Sequence, residues 1–148
     1  MSEGHGSETT KVLLERHFPA RAKVLCQTRS AVRDCLLDDA CQSVAVEDVV
    51  LAIDEACQNI IRHAYGGESD QEIVLSIIRH DSHVEIQLRD FAPPVSPDCL
   101  KPRDLDDIRP GGLGAHLIQE IMDDVSIEPS PDGRGNVMRM RKFVNRHE

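Results

Sequence analysis

Two short runs around Asp81-Ser82 restrict the fold of this chain more than any other feature. From His83 to Arg89, Val84, Ile86 and Leu88 alternate with Glu85, Gln87 and Arg89. That period-2 pattern belongs to a strand with one face on a core and the other in water. The run Glu72 to Arg79 precedes it, and the polar pair between them is short enough to reverse the chain, so an antiparallel hairpin is expected.

The remaining elements are amphipathic too. From about Val46 to Tyr65 the apolar residues Val46, Val49, Val50, Ile53, Ala56, Cys57, Ile60, Ile61 and Ala64 keep a 3.6-residue period, with Glu47 and Asp48 placed in a first helical turn and Gly66-Gly67 as the stop. Lys11 to Glu15 reads as a short strand. Pro19 suits the first turn of a helix carrying Ala22, Leu25, Val32 and Leu36 inward, though Asp38-Asp39 makes an electrostatically poor helix end. A third helix carries Leu117, Ile118, Ile121, Met122 and Val125 on one face. A last pair of strands, Val125 to Glu128 and Asn136 to Lys142, flanks the turn Pro131-Asp132-Gly133. Three helices and four or five largely antiparallel strands predict a two-layer α+β sandwich rather than a doubly wound sheet. Residues 1–10 are expected to be a flexible start and 11–144 a single domain.

At 148 residues the chain can bury a core without disulfides or a structural metal. A net charge of −9 and a pI near 5.2 argue against a nucleic-acid partner, because holding a polyanion takes clustered Lys and Arg. No apolar run reaches the roughly 20 residues that span a bilayer, and Met1 to Thr10 lacks the apolar centre of a secretory signal, so the expectation is a cytoplasmic protein with no membrane partner. The five cysteines, Cys26, Cys35, Cys41, Cys57 and Cys99, are odd in number and show no ligand spacing, which reads as reduced thiols.

The chemistry concentrates at three places. Glu55 and Asn59 stand four apart and project from one helix face, where a carboxylate can serve as general base and an amide oxygen can complete a Mg²⁺ shell. Gly111-Gly112-Leu113-Gly114 opens the third helix, where glycine lets free N–H groups and the helix dipole approach an anion such as phosphate. Asp90 ends the second hairpin strand and can accept from the exocyclic amine of adenine. Between Asp90 and that helix, Phe91 to Pro110 holds five of the eight prolines and little periodicity, a loop of about 20 residues that we read as a lid.

In this order the motifs resemble those of the anti-sigma-factor serine kinases of the GHKL ATPase superfamily. Glu55-Ala56-Cys57-Gln58-Asn59, continuing through Arg62-His63-Ala64-Tyr65, is similar to the N box. Asp90-Phe91-Ala92-Pro93-Pro94 is similar to the first glycine box and Gly111-Gly112-Leu113-Gly114 to the second. The resemblance covers about Val12 to Lys142 and implies the histidine kinase-like (Bergerat-type) sandwich with its helices on one face. It also implies MgATP as cofactor, with Glu55 as base, Asn59 as metal ligand, Asp90 reading adenine, and the amides of Gly112 and Gly114 meeting phosphates. Arg109, with Lys101 and Arg103, would be a lid cation near phosphate. His63 would be either a nucleotide contact or a helix-end residue satisfied by backbone. The implied substrate is a serine or threonine of a small anti-anti-sigma (STAS-type) protein, with a sigma factor as a second partner and a homodimer as the assembly. One departure stands out: Ala92 occupies the place of the family's glycine, and its methyl is expected to crowd the nucleotide. That keeps open a second reading, a binding module that sequesters its partner without turnover.

Overall fold

The computed structural model describes residues 10–39, 43–93 and 113–143, with backbone alone at 43, 44 and 113–116. In chain order these form β1 (Lys11–Pro19), α1 (Ala22–Asp38), α2 (Ser43–Asn59) running into a π-helical turn (Ile60–Ala64), β2 (Glu72–Arg79), β3 (His83–Asp90), α3 (Leu113–Ile121), β4 (Asp124–Pro129) and β5 (Asn136–Phe143). The five strands make one sheet in the order β1-β2-β3-β5-β4, and every neighbouring pair is antiparallel.

The hairpin forms as its alternation dictates. Register sets Ile77 opposite Ile86, Ile86 opposite Met140, and Met140 opposite Val125. A parallel row runs through Leu75, Leu88, Met138 and Ile127. These rows form one face of the sheet, and Val32, Leu36, Val49, Ile53 and Ile118 of the helices join them in a single apolar core. Burying each such side chain contributes about 1.5–3 kcal/mol, enough to fix which face of each strand points inward. The other face carries Glu85, Gln87, Arg89, Arg139 and Arg141. The two-layer α+β sandwich expected from the sequence is therefore present.

Local boundaries differ in instructive ways. Pro19 does not open a helix: β1 runs on through it because Phe18 pairs with Ile73 and is buried, and an edge strand tolerates a residue without an N–H. Helix α1 starts at Ala22, which is exposed. Thr28 takes the inward place instead, its hydroxyl donating to the Val24 carbonyl at 3.2 Å. Helix α2 begins at Ser43, one turn earlier than the apolar period suggests, so Glu47 and Asp48 lie beyond the first turn. They tie neighbours together there, Glu47 accepting from Arg33 at 2.8 and 3.1 Å and Asp48 pairing with Lys142 at 3.2 Å. Val125 belongs to β4 rather than to the third helix, which ends at Ile121. The acidic end of α1 is compensated by the fully buried Arg79, whose Nε lies 3.4 Å from Asp39 Oδ2, and by Lys11 at 3.9 Å.

Candidate functional site

Helix α2 sorts its polar residues by face. Asp54 points to α1, accepting from Arg29 Nη1 at 2.7 Å and from Gln58 Nε2 at 2.8 Å, which braces the two helices. Glu55 is half-buried, and among the described residues no hydrogen bond or ion pair engages it. Asn59 is buried, and its Oδ1 accepts from Arg62 Nη2 at a long 3.3 Å. Cys57 is buried among apolar neighbours, and burial pushes its thiol far above the ordinary value, as expected of a packing residue rather than a nucleophile.

Directly after Asn59 the helix widens into its π turn. Tyr65 N–H reaches the Ile60 carbonyl at 2.9 Å, and Gly66, with φ at 73°, ends the element. Such a turn closes its hydrogen bonds one residue later than an α-helix, so the residues beyond Asn59 are rotated out of α-helical phase. His63 lies exposed on it. The Tyr65 hydroxyl donates to the Glu72 carbonyl and accepts from the Phe91 N–H at 2.8 Å. The phenol thus fastens the end of the α2 segment to the residue that follows Asp90.

Asp90 is buried at the end of β3 and is held from two directions. Its Oδ1 accepts from the Ala92 N–H at 3.0 Å and from Asn136 Nδ2 at 3.0 Å, while the same Asn136 amide reaches the Pro93 carbonyl at 3.3 Å. Burial raises the carboxyl above its usual range, and the Asn136 and Ala92 bonds counteract this in part. Gly135 makes the approach possible. It sits at φ 98°, and a Cβ there would fall 1.9 Å from the Asp90 carbonyl oxygen. On the sheet's other face Arg89 staples the β4–β5 turn, donating to Asp132 at 2.8 Å and to the Arg134 carbonyl at 2.9 Å, with its guanidinium 4.6 Å from the Phe91 ring centre. The Arg89 bond, with the Arg134 N–H, holds Asp132 down at about 2.

Of the residues singled out from sequence, Glu55, Asn59, His63, Asp90 and Ala92 are described, and Leu113 and Gly114 open α3 in backbone. Arg109, Gly111, Gly112 and all but the first three residues of the 91–110 lid lie outside the described residues, as do Lys101 and Arg103. Sequence reading assigned no role to Asn136, Gly135 or Tyr65. Asn136 did carry a signal, a polar residue in phase with the inward Met138 and Met140. The donor set fits MgATP: a buried amide oxygen on Asn59 is a hard ligand of the kind Mg²⁺ takes, and an Asp90 carboxylate immobilised through one oxygen can accept an amine at the other.

A two-layer sandwich with this helix-borne Glu and Asn and this strand-end Asp defines a histidine kinase-like ATPase domain. The chain belongs to that family, whose model matches residues 18–142. Among named relatives, the serine-protein kinase RsbW of Bacillus pumilus (strain SAFR-032) is 32% identical over 111 residues, covering 68% of this chain and 67% of the relative. RsbW of Listeria monocytogenes serotype 4a (strain HCC23) is 30% identical over 109 residues, covering 68% of each. Two solved structures share the fold. The crystal structure of the RsbU and RsbW domains of a Mycobacterium tuberculosis protein aligns with a TM-score of 0.62 at 17% identity, over 89% of this chain and 33% of that one. The SiaB-SiaC complex from Pseudomonas aeruginosa aligns with a TM-score of 0.60 at 20% identity, over 89% and 90%. No helix among the described residues is long and apolar enough to cross a membrane.

Proposed function

We propose that this chain is an ATP-dependent protein serine/threonine kinase of the anti-sigma-factor type, acting in the cytoplasm on an anti-anti-sigma (STAS-domain) protein and binding a sigma factor as its second partner. The observation that carries this reading is Asp90, whose carboxylate is buried and held through Oδ1 by Asn136 and Ala92. Oδ2 is the oxygen assigned to the adenine amine. The relatives named serine-protein kinases support the reaction class.

When bound, MgATP supplies the phosphoryl group and the metal charge that offsets negative charge on the phosphates. Asn59 would lend its amide oxygen to the metal. By the family resemblance the N–H groups of Gly112 and Gly114, with Gly111 and Leu113 beside them, would hold phosphate, and Arg109 and His63 would supply polar contacts to it. Glu55 would accept the proton of the serine or threonine hydroxyl, a role suited to a half-buried carboxylate without a described partner.

One observation favours the second reading, a non-catalytic module that sequesters a sigma factor or another partner. Ala92, where the family places glycine, is 5% exposed, and its N–H donates to Asp90 Oδ1. Calorimetric titration with ATP, with and without Mg²⁺, separates the two. Saturable Mg²⁺-dependent binding is expected, whereas no binding at millimolar ATP leaves only the binding module. Transfer of labelled phosphate to a STAS-domain protein encoded beside this chain completes the test. Glu55→Ala should keep MgATP affinity and lose at least a hundredfold in transfer rate, and transfer at the parent rate would remove Glu55 from its role.

A further inference from the structure

At the opposite end of β3 from Asp90 lies a second cluster of chemically capable side chains. Residues 80–85 read His-Asp-Ser-His-Val-Glu, and the hairpin closes on the His80 N–H, which donates to the His83 carbonyl at 2.9 Å. The turn therefore brings His80 across from His83. Alternation along β3 puts Glu85 on the same face as His83, the face turned away from the helices. One donor atom from each of His80, His83 and Glu85 falls within a sphere where all three lie within 4.8 Å of one another.

We propose that His80, His83 and Glu85 form a divalent transition-metal site of the two-imidazole, one-carboxylate type, with Zn²⁺ as the ion it is best suited to take. His80 Nε2 and Glu85 Oε1 are 3.1 Å apart, about the donor separation around an ion with bonds near 2.0–2.1 Å. The metal would take the place of the proton they share. Glu85 is oriented for this by its other oxygen, which accepts from Gln87 Nε2 at 2.8 Å and faces Arg139 at 3.9 Å. Outer-shell bonds of this kind fix the direction of a metal-binding carboxylate. The two imidazoles are held together, with ring centres 4.4 Å apart and planes 13° from parallel, and Phe143 sets its ring edge-on to His83 at 6.2 Å. Binding requires the parallel rings to tilt toward a common point, a side-chain rotation at a half-buried hairpin end. All three residues are half-buried, so an ion can enter, and a fourth position remains for water.

The site is distinct from the proposed nucleotide site. The seven residue steps from His83 to Asp90 span roughly 24 Å of strand. Its donors also exclude Mg²⁺, which takes oxygen rather than imidazole. The test is calorimetric titration of the full chain with ZnCl₂ in the absence of nucleotide, alongside His83→Ala and Glu85→Gln, with circular dichroism to establish that each variant is folded. The parent should bind one more equivalent than His83→Ala, or bind it at least tenfold more tightly, and Glu85→Gln should weaken the same equivalent. Co²⁺ in that site should give a visible d–d absorption without a thiolate charge-transfer band, which separates it from any cysteine site. Equal Zn²⁺ binding by parent and both variants, or a Co²⁺ adduct carrying only the thiolate band, would overturn the proposal.

Discussion

Asp90 carries an ionisable group in a place that resists ionisation. Because burial lifts its folded-state pKa above the usual aspartate range, the native protein holds this proton more tightly than the unfolded chain does. Its contribution to stability therefore rises as pH falls through the folded pKa, the opposite of a salt-bridged carboxylate. An adenine amine needs the ionised acceptor. The ratio of MgATP affinities of parent and Asp90→Asn should accordingly shrink as pH falls, with a midpoint above the usual aspartate range, and a ratio that stays flat through that range would place adenine elsewhere. Asn136 is the second residue at this scale. Asn136→Ala removes a donor from both Asp90 Oδ1 and the Pro93 carbonyl, so chemical denaturation should register a loss of about 1–3 kcal/mol. MgATP binding should weaken with it.

At the scale of elements, the site depends on two departures from regular structure. The π turn after Asn59 changes the helical phase and ends on Tyr65, whose hydroxyl spans Glu72 and Phe91. The β4–β5 turn presents Gly135 against the Asp90 backbone and delivers Asn136 to its carboxylate. Gly135→Ala combines a positive φ with a Cβ placed 1.9 Å from backbone oxygen, and the turn must shift. The expected cost is about 3 kcal/mol, read from urea unfolding. A variant of parental stability would mean that this turn does not fix Asp90.

For the molecule as a whole, one buried charge joins the two layers. Arg79 is 2% exposed at the inner end of β2, and Asp39 ends α1. Arg79→Ala empties a buried place and leaves Asp39 with Lys11 at 3.9 Å, so it should destabilise the fold by about 3 kcal/mol. A loss below 1 kcal/mol in a denaturant titration would show that the pair is dispensable. The sheet's outer face instead carries charges in the open, with Arg139 against Glu128 at 3.3 Å and Arg141 against Asp124 at 2.7 Å. Exposed pairs of this kind contribute little to stability.

Periodicity fixed the elements, because alternation in Val84, Ile86 and Leu88 and the 3.6-residue spacing from Val46 to Ile61 encode which side of each element leaves water, and burial energy enforces that choice locally. For the same reason the spacing of Glu55 and Asn59 and the position of Asp90 could be read directly from the chain. Element ends were less legible: Pro19 stayed in β1 because Phe18 found Ile73 across the sheet, a contact no local pattern encodes. The side-chain partner of Asp90, Asn136, is 46 residues away, where β3 lies beside β5 rather than β4. The link between Arg79 and Asp39 and the cluster of His80, His83 and Glu85 likewise follow from where strands and turns bring side chains together. Burial phase is a property of a single segment and is written in its sequence. Pairing between distant polar groups follows from strand order and register, which only the packed sheet decides.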